Sequence, residues 1–174
     1  MSYPEALKAD REERIEDAAN LYEHALQLSP TDLQAMINLI VLYWESSENG
    51  FYAAHHLPHE FVIRAGCRYR ELLDEARRQF PGEPAVEFWR RYIASIDEGV
   101  EFSASEARAM RDDNPDYLEP ELILYEGEED GDRARSAKTL IEWCRSEGTV
   151  RAHYVRAVLE GIESRAAGAR GAPR

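Results

Sequence analysis

Turn positions follow the helical segments of this chain at a regular interval. Pro81, Pro115 and Thr149 each come after a segment with helical patterning and stand 34 positions apart. Pro30 occupies the same place after the first such segment, and the longer gap to Pro81 leaves room for an insertion at about residues 47–60. Because proline cannot continue a helix, the spacing predicts helix pairs that repeat along the chain.

Apolar residues between these turns recur three and four positions apart, which places them on one face of a helix. We expect a first helix from about Ala9 to Leu28, and a second, apolar on most sides, from Leu33 to about Ser46. Thr31 or Asp32 can cap the second helix, and Ser103 to Glu106 has the pattern of a capping box. Strand patterns are almost missing. The sequence therefore predicts an all-α fold of about eight helices in antiparallel hairpins.

One segment of the chain resembles the tetratricopeptide repeat, a helix–turn–helix unit with a period of 34 residues. Small residues in its second helix let neighbouring helices approach closely, and an aromatic residue fills the gap beside them. The matching residues are Ala18, Tyr22, Ala25 and Pro30, followed by Met36, Asn38, Leu39 and Tyr43. The resemblance extends over about Arg14 to Ile162. It implies helical hairpins stacked as a right-handed solenoid, whose concave face binds peptides or protein segments.

The length of 174 residues suits one compact domain. We expect a single helical domain over residues 1–165 and a disordered tail at 166–174, because the tail offers no apolar face. The two cysteines, Cys67 and Cys144, are predicted to be buried thiols rather than a disulfide. The large aromatic residues are predicted to fill helix interfaces; they are Trp44, Phe88, Trp89 and Trp143.

The net charge of −13 is concentrated in one part of the chain. Residues 97–132 hold 14 Asp and Glu against two Arg. Such a field repels nucleic-acid phosphates and attracts basic proteins, although a solvated acidic surface that favours solubility has the same pattern. The carboxylates predicted to contact a partner are Asp112, Asp113, Asp116, Glu126, Glu128, Glu129 and Asp130.

The insertion supplies a second candidate surface. Phe51, Tyr52 and Leu57 are apolar anchors of the kind found in protein interfaces, and His55 and His56 lie among them. We predict that these five residues contact a partner, because insertions in repeat proteins are often on the binding side. Together with His59 and Glu60, the two histidines are also the one cluster with the residue types of a zinc or nickel site.

No nucleophile elbow, phosphate-binding loop or dinucleotide motif is present in the sequence. We therefore predict a non-catalytic protein–protein interaction module without cofactor or metal, such as an immunity protein, a chaperone or an adaptor for a basic partner. The alternatives are a metal-dependent enzyme using His55, His56 and His59, or a structural homo-oligomer. The longest apolar run is far shorter than the roughly 20 residues of a membrane span. With no export signal, we expect a cytoplasmic protein, and the excess of arginine over lysine suggests a GC-rich bacterial genome.

Overall fold

The computed structural model describes residues 3–127 and 129–171. Within these ranges the chain forms ten α-helices and no strand, which confirms the all-α class and exceeds the expected number of helices. The helices are α1 (Tyr3–Arg11), α2 (Ile15–Leu28), α3 (Leu33–Ser47), α4 (Asn49–Ala54), α5 (His59–Gln79), α6 (Pro84–Asp97), α7 (Ala104–Asp113), α8 (Glu121–Leu124), α9 (Asp132–Glu147) and α10 (Val150–Gly171).

Contacts divide the chain into two compact units. The first unit comprises Met1–Val86 with Gly148–Arg151. The second comprises Glu87–Glu147 with Ala152–Arg174. Each unit contains its own set of buried side chains, so each is described separately.

Helix α3 is the centre of the first unit. It packs against α2, α4 and α5, and α1 packs against α2. All its residues from Ala35 to Trp44 are buried, as the apolar pattern predicted. The helix begins where expected, because the Asp32 carboxylate accepts a hydrogen bond from the Ala35 backbone N–H at 3.0 Å. This N-cap satisfies one of the donors that a helix start leaves unpaired.

The predicted first helix, residues 9–28, is in fact two helices. The chain turns at Glu13, whose φ is +54°. The backbone N–H of Arg14 donates to Ala9 O at 3.0 Å and that of Glu13 donates to Asp10 O at 2.9 Å. This is the Schellman pattern that ends a helix, and it usually has glycine at the left-handed position. Because Glu13 stands there instead, no glycine in the sequence marks the break.

The insertion at residues 47–60 contains the short helix α4. Its end repeats the same pattern. The N–H of Leu57 donates to Tyr52 O at 3.0 Å, that of His56 donates to Ala53 O at 3.4 Å, and His56 has a φ of +52°. The two hydrogen bonds fix the direction in which the chain leaves α4.

Aromatic side chains form the core of the second unit. Phe88 stacks on Tyr92 with ring centroids 5.4 Å apart and meets Trp89 edge-on at 5.6 Å. The hydroxyl groups of Tyr92 and Tyr154 are 2.9 Å apart and share a hydrogen bond. The prediction that Phe88 and Trp89 are core residues is confirmed. For Trp143 it is wrong, because 37% of that residue is exposed.

The prediction of two buried thiols is half correct. Cys144 is buried, but Cys67 is exposed. The buried residues of α5, which include Phe61, Ala65 and Tyr69, define the face that packs inward. Cys67 lies two positions from both Ala65 and Tyr69, on a different side of the helix.

The last helix continues to Gly171, beyond the expected end at Arg165. Residues 166–171, which the composition assigned to a disordered tail, are therefore helical, and residues 172–174 lie outside the described ranges. Among the helices that the structure describes, none combines the length and the apolar character that a membrane span requires.

Candidate functional site

The second unit contains an open pocket of about 400 Å³. It is formed by the end of α7, by α8 and by the start of α9, and α8 packs against both of the other helices. Most of its lining is polar or charged. The lining residues are Arg111, Asp112, Pro115, Glu121, Asp132, Arg133 and Ser136.

Local sequence explains why these three segments meet. Helix α7 ends at Asp113, and the backbone and side-chain N–H groups of the C-cap residue Asn114 both donate to Met110 O at 3.2 Å. Pro115 then prevents the helix from continuing. Pro120 precedes α8 and its carbonyl accepts from Ile123 N at 3.0 Å, which closes the first turn of that short helix. These turns bring Glu121 of α8 close to Arg111 of α7.

Glu121 forms the floor of the pocket and is fully buried. Its Oε1 accepts a hydrogen bond from Arg133 Nη1 at 2.9 Å and lies 3.5 Å from Arg111 Nε. Its Oε2 is buried with no hydrogen-bond partner. Burial raises the pKa of Glu121, and the two guanidinium groups act in the opposite direction. A buried acceptor without a donor costs about 1–3 kcal/mol, so this oxygen is a place where a ligand can add stability.

Arg111 carries the matching unmet donor. One of its terminal nitrogens donates to Pro115 O, and the other donates to Ser136 Oγ at 3.4 Å. Its Nε is buried without a hydrogen-bond partner. The pocket therefore holds a buried N–H donor and a buried carboxylate acceptor next to each other, both unsatisfied.

The rim of the pocket is acidic. Asp112 and Asp132 are exposed, and Asp132 is paired with Arg135. The predicted contact residue Asp112 thus lies at the same pocket as the start of α9. Helix α9 begins directly after the predicted acidic loop. The other predicted carboxylates that the structure describes are also exposed: Asp113, Asp116, Glu126, Glu129 and Asp130. The predicted residue Glu128 lies outside the described ranges.

The acidic loop is held in place by a glycine. Gly127 is buried and has a φ of +81°. A Cβ atom at this position would lie 2.5 Å from Ala166 Cβ and 3.1 Å from Ile162 O. Glycine thus allows the loop to lie directly against α10, and it leaves Glu126 and Glu129 on the surface.

Not every carboxylate of residues 97–132 contributes to the surface charge. Glu119 is buried and accepts a hydrogen bond from Trp89 Nε1 at 2.9 Å and another from the Tyr117 hydroxyl. It therefore supports the aromatic core, and Glu121 belongs to the pocket. The charge count alone could not separate these two from their exposed neighbours. The sequence does hold one indication that Glu119 and Glu121 are buried: they lie on either side of Pro120 and next to the apolar residues of α8.

The predicted contact residues of the insertion lie in the first unit. His55 and Leu57 line a pocket of about 250 Å³ together with residues 13–17. The rings of Phe51 and His55 are 4.2 Å apart. Phe51 and Tyr52 are half-buried, and His56 is exposed. The insertion thus offers a small polar recess with aromatic side chains.

The histidines of the insertion do not form a metal-binding cluster. Over residues 3–127 and 129–171, no three His, Cys, Asp or Glu side chains are grouped so that they could hold one metal ion. The metal-dependent alternative therefore has no ligand set in this part of the chain.

Comparison of the sequence with protein-family models and with curated proteins finds no match, and comparison of the structure with solved structures finds none either.

Proposed function

We propose that the protein is a non-catalytic binding module for a basic protein partner. The contact surface is formed by the acidic segments of the second unit, residues 112–116 and 126–132. An immunity protein that neutralises a basic toxin, or a cytoplasmic adaptor, is the role that this chemistry fits best.

One observation carries the proposal. Asp112 and Asp132, from two different segments, are exposed at the rim of one pocket, and the segments around them hold further exposed carboxylates. Exposed carboxylates grouped in this way attract a basic partner over about 8 Å at physiological ionic strength, and they raise the rate of association. The net charge of −13 adds to this attraction.

The packing of the first unit supports a solenoid of tetratricopeptide type. α1 packs against α2, α2 against α3 and α3 against α5. Consecutive hairpins in a repeat array contact each other in this order. The insertion residues Phe51, Tyr52, His55, His56 and Leu57 are a second proposed contact surface, which belongs to the first unit.

The proposal can be tested with a displayed library of random peptides selected on the purified chain. We expect the enriched peptides to be rich in lysine and arginine, and their binding to weaken as the salt concentration rises. A triple variant, Asp112→Asn, Asp113→Asn and Asp116→Asn, should lose most of this binding. All three side chains are exposed, so the fold should be retained.

A matched control removes the same charge elsewhere. Asp74, Glu98 and Glu142 are exposed and lie outside the proposed contact segments. The variant Asp74→Asn, Glu98→Gln and Glu142→Gln should bind the selected peptides nearly as well as the wild type. Equal loss in both triple variants would mean that only net charge matters, and it would contradict a defined site. Enrichment of peptides without basic residues would contradict the basic partner.

A further inference from the structure

We infer that the pocket around Glu121 binds a free α-amino acid in its zwitterionic form. This inference does not depend on the proposed partner, because it rests on two buried atoms of the pocket, Arg111 Nε and Glu121 Oε2.

Charges of both signs line the pocket. Arg111 and Arg133 present two guanidinium groups, which repel a simple cation. Glu121 and the rim residues Asp112 and Asp132 present carboxylates, which repel a simple anion. A ligand that carries one positive and one negative group can place each beside the opposite charge.

The unsatisfied atoms match the two ends of an amino acid. Arg111 Nε needs an acceptor, and Glu121 Oε2 needs a donor. The two residues are adjacent, since Arg111 Nε lies 3.5 Å from the other oxygen of the same carboxylate. An α-carboxylate and an α-ammonium group, joined through one carbon, supply an acceptor and a donor at short separation. Hydrogen bonds between charged groups are roughly twice as strong as neutral ones.

The volume of the pocket is compatible with such a ligand. A volume of about 400 Å³ lies within the range of small-molecule sites, about 300–1,000 Å³. Glu121 is covered in the free protein, so a ligand must displace a neighbouring guanidinium group to reach it. The hydrogen bond from Arg111 to Ser136 is long, at 3.4 Å, and is the contact that we expect to open.

The test is calorimetric titration of the full chain with each of the common amino acids and with three fragments. The fragments are propylamine, propionate and propionamide, which carry the ammonium, the carboxylate or a neutral amide alone. We expect at least one amino acid to bind and all three fragments to bind at least about tenfold more weakly. If no amino acid binds, or if a fragment binds as tightly, the inference is wrong.

Two neighbouring aspartates provide a matched pair of variants. Asp112 lines the pocket, whereas Asp113 is exposed and does not line it. Asp112→Asn should weaken amino-acid binding several-fold, and Asp113→Asn should leave it unchanged. Equal effects of the two substitutions would contradict the assigned position of the ligand.

Glu121→Gln tests the floor of the pocket directly. Loss of one charge-assisted hydrogen bond should weaken binding by about 10- to 100-fold. Circular dichroism will show whether this buried substitution keeps the fold; if it does not, the comparison of Asp112 with Asp113 decides. Glu121→Gln leaves the exposed acidic segments intact, so it should not reduce selection of basic peptides. The two proposals can therefore fail independently.

Discussion

The substitution Tyr22→Phe should destabilise the first unit, although it removes a single oxygen atom. Tyr22 and Asp10 are both buried, and the Tyr22 hydroxyl donates to Asp10 Oδ2 at 2.9 Å. Burial, together with the charge of Asp10, raises the pKa of Tyr22, so its hydroxyl remains protonated and acts as the donor. Asp10 Oδ1 accepts from the Val150 backbone N–H at 2.8 Å.

The size of the effect follows from these contacts. A hydrogen bond to a charged group contributes about 1.5–3 kcal/mol, and its loss leaves a buried carboxylate oxygen less well paired. Phenylalanine keeps the ring in place and creates almost no cavity. We therefore expect the free energy of unfolding to fall by about 1.5–3 kcal/mol.

Urea unfolding, followed by circular dichroism and by tryptophan fluorescence, measures this change. The control is Tyr52→Phe, at a half-buried tyrosine of α4, which should change stability by less than about 0.5 kcal/mol. A double-mutant cycle with Asp10→Asn should give a coupling energy of about 1 kcal/mol or more. If Tyr22→Phe changes stability no more than the control does, the buried hydrogen bond does not contribute as argued.

Three further changes test other parts of the fold. Gly127→Ala should lower the free energy of unfolding by more than about 2 kcal/mol in a thermal unfolding experiment, because a left-handed alanine costs about 1–2 kcal/mol and its Cβ would lie 2.5 Å from Ala166 Cβ. The control is Gly82→Ala, which has a similar φ of +78° and open space around it, so it should lose only the backbone contribution. Equal losses of stability in the two variants would exclude the clash with Ala166. His56→Gly should stabilise the chain by about 0.5–1 kcal/mol in urea, since glycine accepts the positive φ more readily; a loss of stability would show that the His56 side chain makes a favourable contact. Burial raises the pKa of Glu45 to about 7, so its contribution to stability is greatest below about pH 4.5 and falls as the pH rises towards 7. Glu45→Gln should therefore be more stable than the wild type at pH 8, with the difference shrinking towards pH 4.5; a pH-independent difference would argue against this titration.

Helix starts were predictable where one side chain makes the cap. Asp32 accepts from the backbone of α3, and Ser103 and Glu106 form the predicted capping box. Both patterns lie within four consecutive residues, so no distant contact is needed to recognise them. The end of α1 was not predictable in this way, because Glu13 takes a backbone conformation that glycine usually marks.

The interior of the pocket was not predictable from charge. The acidic sequence around Asp112 predicts an exposed contact residue, and the structure places Asp112 at the rim of the pocket. Glu121 has the same charge and a similar neighbourhood in sequence, yet it is fully buried between two arginines. Which carboxylate is buried depends on the packing of α8 against α7 and α9, and that packing is a property of three segments together.

The hydrogen bond between Val150 and Asp10 joins residues that are 140 positions apart. Gly148–Arg151 belongs to the first unit, so the chain must be synthesised beyond the start of α10 before the first unit has all its contacts. Contacts between residues so distant in sequence form late, because a long loop must be closed before they can contribute. They therefore reduce the rate of folding. During translation, the contacts of the first unit with this late segment, including the hydrogen bond from Val150 to Asp10, are therefore the last to form.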